Sequence, residues 1–206
     1  MRWISPDPHA EGRLFACIES GALVRSDDGG GTWRDCTPDG PRDTHTLATH
    51  PLAPGRLYSA AGDGVMRRGY GYSESRDAGA TWERFAEGLD RHYLWGVAVD
   101  PADPDTVVIS AARSPEQAHN PMRADATIYR RAAGAPWREA RAGLPETEGT
   151  VISILAAHRR EPGVFYAANN KGLFRSGDSG ATWERVPLPW PDHYRFQHVQ
   201  ALAVTS

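Results

Sequence analysis

Apolar and polar positions alternate along this chain in short runs rather than in helical stripes. "RLFACIESG", "RLYSAAGDG", "TVVISAARS" and "GVFYAANNKG" are each rich in β-branched or aromatic residues and bounded by Gly, Pro, Asn or Asp. Period-two runs of this length, punctuated by turn residues, predict strands. A shorter apolar stretch precedes each of them and ends in a Pro- or Gly-rich turn: "RWISPDPHAEG", "TLATHPLAPG", "GVAVDPADPD" and "ILAAHRREPG". A third strand follows, and a fourth begins at a tryptophan. No helical period separates these runs, so the pattern predicts an all-β meander of four strands per repeat.

The repeat itself is written in a turn motif. "SDDGGGTWRDC", "SRDAGATWERF" and "SGDSGATWERV" share Ser-x-Asp-x-Gly-x-Thr-Trp, and "IYRRAAGAPWREARAGL" keeps the tryptophan after losing Ser, Asp and Thr. Trp33, Trp82, Trp137 and Trp183 are thus 49, 55 and 46 residues apart. Four strands per period of about 50 residues is the pattern of propeller blades. The expected fold is an all-β propeller of four-stranded antiparallel blades with four repeats present, an incomplete, open arc. Blades are expected at about 1–41, 42–90, 91–146 and 147–190, in a single domain over 1–206, with "HVQALAVTS" supplying an extra inner strand at 198–205.

In each motif the carboxylate (Asp28, Asp77, Asp178) can accept turn N–H groups. Gly30, Gly79 and Gly180 supply positive φ, and the hydroxyls of Ser26, Ser75 and Ser176 and of Thr32, Thr81 and Thr182 tie the strand ends. Trp33, Trp82 and Trp183 are expected to return to the interior and pack between sheets. Three aspartates spread once per blade around a rim cannot face one substrate at the ~5–10 Å that paired catalytic carboxylates need. The motif therefore reads as structural.

The motif resembles the Asp-box of the bacterial-neuraminidase-type (BNR) repeats, a sialidase-like, glycosyl-hydrolase-like propeller superfamily. That family includes sialidases, xyloglucanases, the sortilin ectodomain and a photosystem II assembly factor. The resemblance implies rings of six to eight blades, with the boxes on the face opposite the functional one. Four blades then imply a piece of a longer propeller, a ring completed by another copy or partner, or a closed four-bladed ring. Sialidase chemistry would require an arginine cluster, an acid/base aspartate and a Tyr/Glu nucleophile, and no residue here takes those roles by motif. Xyloglucanase-like chemistry needs two opposed carboxylates, for which Asp43, Asp90, Glu146, Glu148 and Asp192 are unranked candidates.

The opposite, top face collects the irregular loops. "RSPEQAHNPMRADA" expands a hairpin, and "LDRHYLWG", "LPETEGT" and "LPWPDHYRFQH" link blades. Asp43, His45, His92, Tyr93, Trp95, His193, Tyr194, Arg195, Phe196 and His198 lie there, mixing aromatic faces with ionisable groups in a way that suits a sugar, another polar small molecule or a protein surface. The other reading is that these rings plug the channel. Histidines 45, 92 and 198 lack a close-spaced ligand pair, so no metal site is expected, and no cofactor is implied.

Composition narrows the partners further. Lys and Arg number 23 against 26 Asp and Glu, for a net charge of −3, and no run of five like charges occurs. Neither nucleic acid nor a polybasic membrane contact is expected. No apolar run approaches the ~20 residues of a membrane span, and the N-terminus has no apolar signal core. Cys17 and Cys36 lack metal spacing and read as free thiols, which together place the chain in the cytoplasm. The expected function is a binding or assembly propeller recognising a ligand, carbohydrate or protein, on its top face. A glycoside hydrolase is the alternative.

Overall fold

A computed structural model of the chain describes residues 3–36 and 38–205. Residues 1, 2 and 37, which fall within the expected first blade, lie outside the described residues. Sixteen strands form four antiparallel four-stranded sheets, each in simple sequential order. The first holds β1 (Trp3–Pro6), β2 (Leu14–Ile18), β3 (Ala22–Ser26) and β4 (Arg34–Asp35). The second holds β5 (Thr44–Thr49), β6 (Leu57–Ala61), β7 (Tyr72–Ser75) and β8 (Glu83–Arg84). The third holds β9 (Tyr93–Val99), β10 (Val107–Ala112), β11 (Thr127–Arg131) and β12 (Arg138–Glu139). The fourth holds β13 (Ile154–Ala157), β14 (Phe165–Asn169), β15 (Gly172–Ser176) and β16 (Glu184–Arg185). One short helix, α1 (Pro115–His119), and 3-10 turns at Gly62–Val65 and Asp192–Phe196 sit in loops. The arrangement is an open propeller arc: the sheets are blades, and the first and last do not close on each other.

The core has one layer between each pair of neighbouring blades and a smaller cluster of Tyr93, Ala112, Ala118, Ala126 and Ile152 beneath Trp95. Phe15, Cys17 and Leu23 meet Leu47, Leu57 and Trp82 across the first joint. Tyr58, Ala60 and Tyr72 meet Val97, Val107, Tyr129 and Trp137 across the second, and Val108 and Ile128 meet Leu155, Phe165, Phe174 and Trp183 across the third. Trp82, Trp137 and Trp183 therefore each pack on the blade before their own. This rule corrects the expectation for Trp33. With no blade on that side among the described residues it stays 41% exposed, its indole N–H donating to the Gly30 carbonyl at 3.0 Å. Gly88 and Gly143, both at positive φ, lie in the links behind Trp137 and Trp183, where an added Cβ would fall 2.1 and 1.7 Å from the tryptophan carbonyls. Only glycine allows the links to approach that closely.

The repeated turns are tied by the same bonds each time. The buried Ser26, Ser75 and Ser176 hydroxyls donate to Asp28, Asp77 and Asp178 and accept from the N–H of Gly30, Gly79 and Gly180. The other carboxylate oxygen accepts from the threonine hydroxyl at 2.6 to 2.7 Å. Two consecutive residues take positive φ in each turn, Gly29–Gly30, Ala78–Gly79 and Ser179–Gly180. Hydrogen bonds from the Thr32 side chain hold Asp28 down at about 2. Burial pushes Asp77 and Asp178 upward, but the Thr81 and Thr182 bonds outweigh it and both stay below the usual carboxylate range. The third blade turns without these groups, through Ala133 and Gly134 at φ 51 and 72.

The extra inner strand expected at 198–205 is absent: those residues form neither strand nor helix. An apolar run becomes a strand only where a ladder partner meets its backbone, and no described strand pairs with this one. Cys17 is buried, Cys36 half-buried, and both thiols are free; burial raises Cys17 to about 12 and Cys36 to about 11. Among the described residues no helix is long and apolar enough to cross a membrane.

Candidate functional site

The top ends of the two middle inner strands are bulged. His45 is the extra residue between the pairs Thr44↔Ala61 and Thr46↔Ala60 of β5 and β6. In β9 the register slips between Leu94↔Ala111 and Val97↔Ile109, at Trp95 and Gly96. A bulge bends the strand and re-aims the side chain it carries. Here it turns the two rings toward each other, with His45 and Trp95 centroids 4.5 Å apart.

Tyr93 joins them 5.1 Å from the His45 ring, and His45 Nδ1 lies 2.6 Å from the Leu94 carbonyl. Asp43 sits 3.6 Å from His45 Nε2, and its other oxygen accepts the Ser20 N–H at 2.8 Å, fastening the first blade's top hairpin to the second blade. Gly62 packs beside both side chains, and a Cβ there would meet Asp43 at 2.1 Å. On the far side His119, the last residue of α1, stacks edge-on over Trp95 at 4.3 Å and meets the Tyr93 hydroxyl at 2.9 Å. Ser114 caps α1 by accepting from the Gln117 N–H, which fixes the turn that carries His119. His198 completes the group 5.5 Å from His119. His45 and Tyr93 are buried beneath, whereas Trp95, His119 and His198 are half-buried and form the surface.

A cleft of about 410 Å³ shares loops with this group: Pro121 in its wall is two residues beyond His119, and Phe196 is two residues before His198. Lys171, Arg185 and Arg195 bring cationic groups to it, Asp192 an anionic one, and Trp190 and Phe196 aromatic faces. Asn170, buried, holds the outer wall in place. Its amide donates to the Arg195 and Gly149 carbonyls, its side-chain oxygen accepts the Val151 N–H, and its backbone carbonyl accepts the Trp190 indole N–H at 3.1 Å. Lys171 donates to the Glu146 and Glu148 carbonyls, and burial lowers its pKa below the usual lysine value.

The structure thus divides the residues singled out in the sequence. His45, Tyr93, Trp95 and His198 gather in one cluster, and Arg195 and Phe196 line the cleft beside it. His193 and Tyr194 lie exposed on the outside of the Asp192–Phe196 turn, Tyr194 packing edge-on against Trp190. His92 stands apart. Its ring nitrogens are buried without hydrogen-bond partners, and desolvation, then the nearby Arg68, lowers its pKa. Among the candidate carboxylates, Asp90 accepts from the Tyr129 hydroxyl and pairs with Arg113, and Glu146 pairs with Arg141. His119, Trp190, Asn170 and Lys171 are added by the fold; His119 and Trp190 lie inside loops whose irregularity marked them, but ring contacts between distant loops leave no trace in spacing. Among the described residues no three His, Cys, Asp or Glu side chains gather as a metal site.

The class defined by fold and site is an open β-propeller arc with an aromatic and imidazole cluster at its top centre. No family model matches the chain, and no curated protein matches its sequence. Solved structures share the fold. An ancestral GH74 enzyme superposes with a TM-score of 0.70 at 13% identity, over 91% of this chain and 24% of its own. The GH74 xyloglucanase from Xanthomonas campestris does so with a TM-score of 0.65 at 18% identity, over 91% and 30%. YCF48 bound to D1 peptide follows with a TM-score of 0.54 at 17% identity, over 86% and 50%. The chain therefore spans about a quarter to a half of the length of these proteins.

Proposed function

We propose that this chain is a binding or assembly propeller of the sialidase-like, BNR-repeat type that recognises a ligand on its top face. The carrying observation is the convergence of His45, Tyr93, Trp95, His119 and His198 at bulged inner-strand ends, with the loops that carry His119 and His198 also supplying Pro121, Arg195 and Phe196 to a cleft walled by Lys171 and Trp190. Aromatic faces beside cationic and imidazole groups suit either a sugar ring or a polar peptide segment. Both classes occur among proteins of like fold, a xyloglucanase and a peptide-bound YCF48. The aspartates of the repeated turns bond their own threonines and serines, which supports reading those turns as structural and the top face as the place for recognition.

Arrays of neutral and acidic oligosaccharides and of peptides test this reading. Wild-type protein is expected to retain a subset that Trp95→Ala combined with Arg195→Ala no longer binds, while Asp178→Ala still binds it. Binding indifferent to the top-face pair but lost with Asp178→Ala would reject the assignment. Turnover of any retained oligosaccharide would identify a glycoside hydrolase instead, with Asp192 the first carboxylate to replace because it alone among the candidates lines the cleft.

A further inference from the structure

Beyond Gly62, the top hairpin of the second blade (63–71) belongs to neither the cluster nor the cleft, and it has a described blade on each side. It is firmly held. Gly64 and Gly71 press on the His92 carbonyl, where an added Cβ would fall at 2.0 and 2.3 Å. Asp63 accepts the Arg42 and Asp43 N–H groups of the incoming link, the Arg67 N–H donates to the Asp63 carbonyl, and the Tyr70 N–H donates to the Arg67 carbonyl.

This frame holds apolar and cationic side chains out in solvent. At its crest Val65 is 42% and Met66 92% exposed. Arg67 and Arg84 stack on the Tyr70 ring at 4.0 and 3.9 Å, so two like charges stand within about 8 Å of each other and repel. Arg84 Nη2 is fixed further by the Asp39 carbonyl at 2.6 Å, and Arg68 is exposed beside them. Among the described residues no carboxylate pairs with Arg67, Arg68 or Arg84. The neighbouring hairpin shows the contrast: Met122 there is 79% exposed and also followed by an arginine, but Arg123 pairs with Glu116 at 3.1 Å. In a chain of net charge −3, the second blade's hairpin gathers cations without their counter-ions.

We propose that this hairpin is a docking surface for an acidic, apolar peptide segment of another protein. Apolar side chains of the segment cover Val65 and Met66, while its Asp or Glu carboxylates pair with Arg67, Arg68 and Arg84. Charge complementarity selects an acidic occupant, and guanidinia already held by a ring and a carbonyl lose little freedom on taking a carboxylate in forked geometry. Methionine, long and adaptable, suits the apolar side of such a contact and has no hydrogen bond to offer a sugar. Single-stranded nucleic acid would need an open ring on which to stack its bases, and the Tyr70 ring is taken by two guanidinia. A bilayer surface would need a broader apolar face than two side chains give. The surface is separate from the Trp95 cluster and does not depend on its role.

A library of synthetic peptides in which Asp or Glu alternates with Leu, Ile or Phe tests the proposal, read by fluorescence anisotropy with the full chain. Matched peptides carry Gln for the acids or Ser for the apolar residues; phosphatidylcholine–phosphatidylserine vesicles and oligothymidylate stand for the other partner classes. Wild-type protein is expected to bind members of the library in preference to both matched sets. Arg67→Glu and Arg84→Glu should each weaken that binding by roughly tenfold or more, and Met66→Ser should weaken it less. None should alter the β-sheet circular dichroism signal, since all three side chains are exposed. Arg123→Glu, and Trp95→Ala combined with Arg195→Ala, should bind as wild type does. Retention of no library peptide overturns the proposal, as does binding that ignores the Gln or Ser replacements or survives both arginine changes. Loss confined to the Trp95 and Arg195 variant would place the peptide at the cluster instead, and capture of vesicles or oligothymidylate but not peptides, abolished by Arg67→Glu, would assign the hairpin to that other class.

Discussion

Ser75 and Asp77 do different work within one turn. Ser75 is buried and satisfies the Gly79 N–H, whereas Asp77 is exposed and restrains Thr81. Losing the serine strands a buried donor, so Ser75→Ala is expected to cost about 1–3 kcal/mol and Asp77→Ala less, about 1 kcal/mol. Urea titrations check the order, and neither change should alter top-face binding. His92 makes a second residue-scale test. Its folded pKa lies below the ordinary histidine value of about 6.5, so the unfolded chain takes up the proton first as pH falls. Stability is then complete above about pH 6.5 and declines as pH drops toward the folded value. His92→Gln should flatten the decline in Tm between about pH 7 and 5; an unchanged slope would show that other groups set it. The Ser, Asp and Thr of the turns were legible because their bonds are local in sequence. His92 was not separable from Tyr93 and Trp95 by composition; it stands just before β9 and its buried ring nitrogens meet no hydrogen-bond partner.

Between elements, the joint of the second and third blades differs from the others in a way that no local motif announces. Its turn lacks serine and aspartate, and Arg131 takes the serine's register, buried among Tyr72, Phe85 and Trp137. Glu74 from the preceding blade pairs with it, and with Arg56 at 2.8 Å, while accepting the Tyr72 hydroxyl. Truncating one partner of a buried ion cluster leaves the others uncompensated. Glu74→Ala is therefore expected to destabilise the fold by about 3–5 kcal/mol, well beyond the effect of Asp77→Ala, as thermal or chemical unfolding would report; a loss under about 1 kcal/mol would show that solvent reaches the arginines. Strand order and period were readable from turn residues and alternation, since both are set within a blade. The Glu74–Arg131 pair spans two blades, so the sequence offers two charged strand residues and nothing to couple them.

At the scale of the whole molecule, the same rule explains what the period showed and what it hid. A 50-residue repeat predicts blades, and each blade leaves one face for its predecessor and one for its successor. The three joints among the described blades use six of these faces, and Trp33, which has no described blade to pack on, stands exposed. Equivalent positions look alike in sequence whether or not a neighbour is present, which is why burial of Trp33 was expected and not found. The top-face cluster has the same origin. Segments 43–45, 93–95, 114–121 and 190–198 are far apart in the chain and meet only because the arc brings its inner-strand ends together. Their irregularity grouped them on one face, while the partition into cluster, cleft and outlying residues required the bulges at His45 and Trp95.

Recognition at that top face is most directly tested by hydrogen–deuterium exchange on the protein alone and with an array-selected oligosaccharide or peptide. The account predicts new protection confined to segments 43–46, 93–97, 117–121, 168–171 and 190–198, with the turns around Asp28, Asp77 and Asp178 unchanged. Protection concentrated at those turns, with the top-face segments exchanging as before, would contradict it.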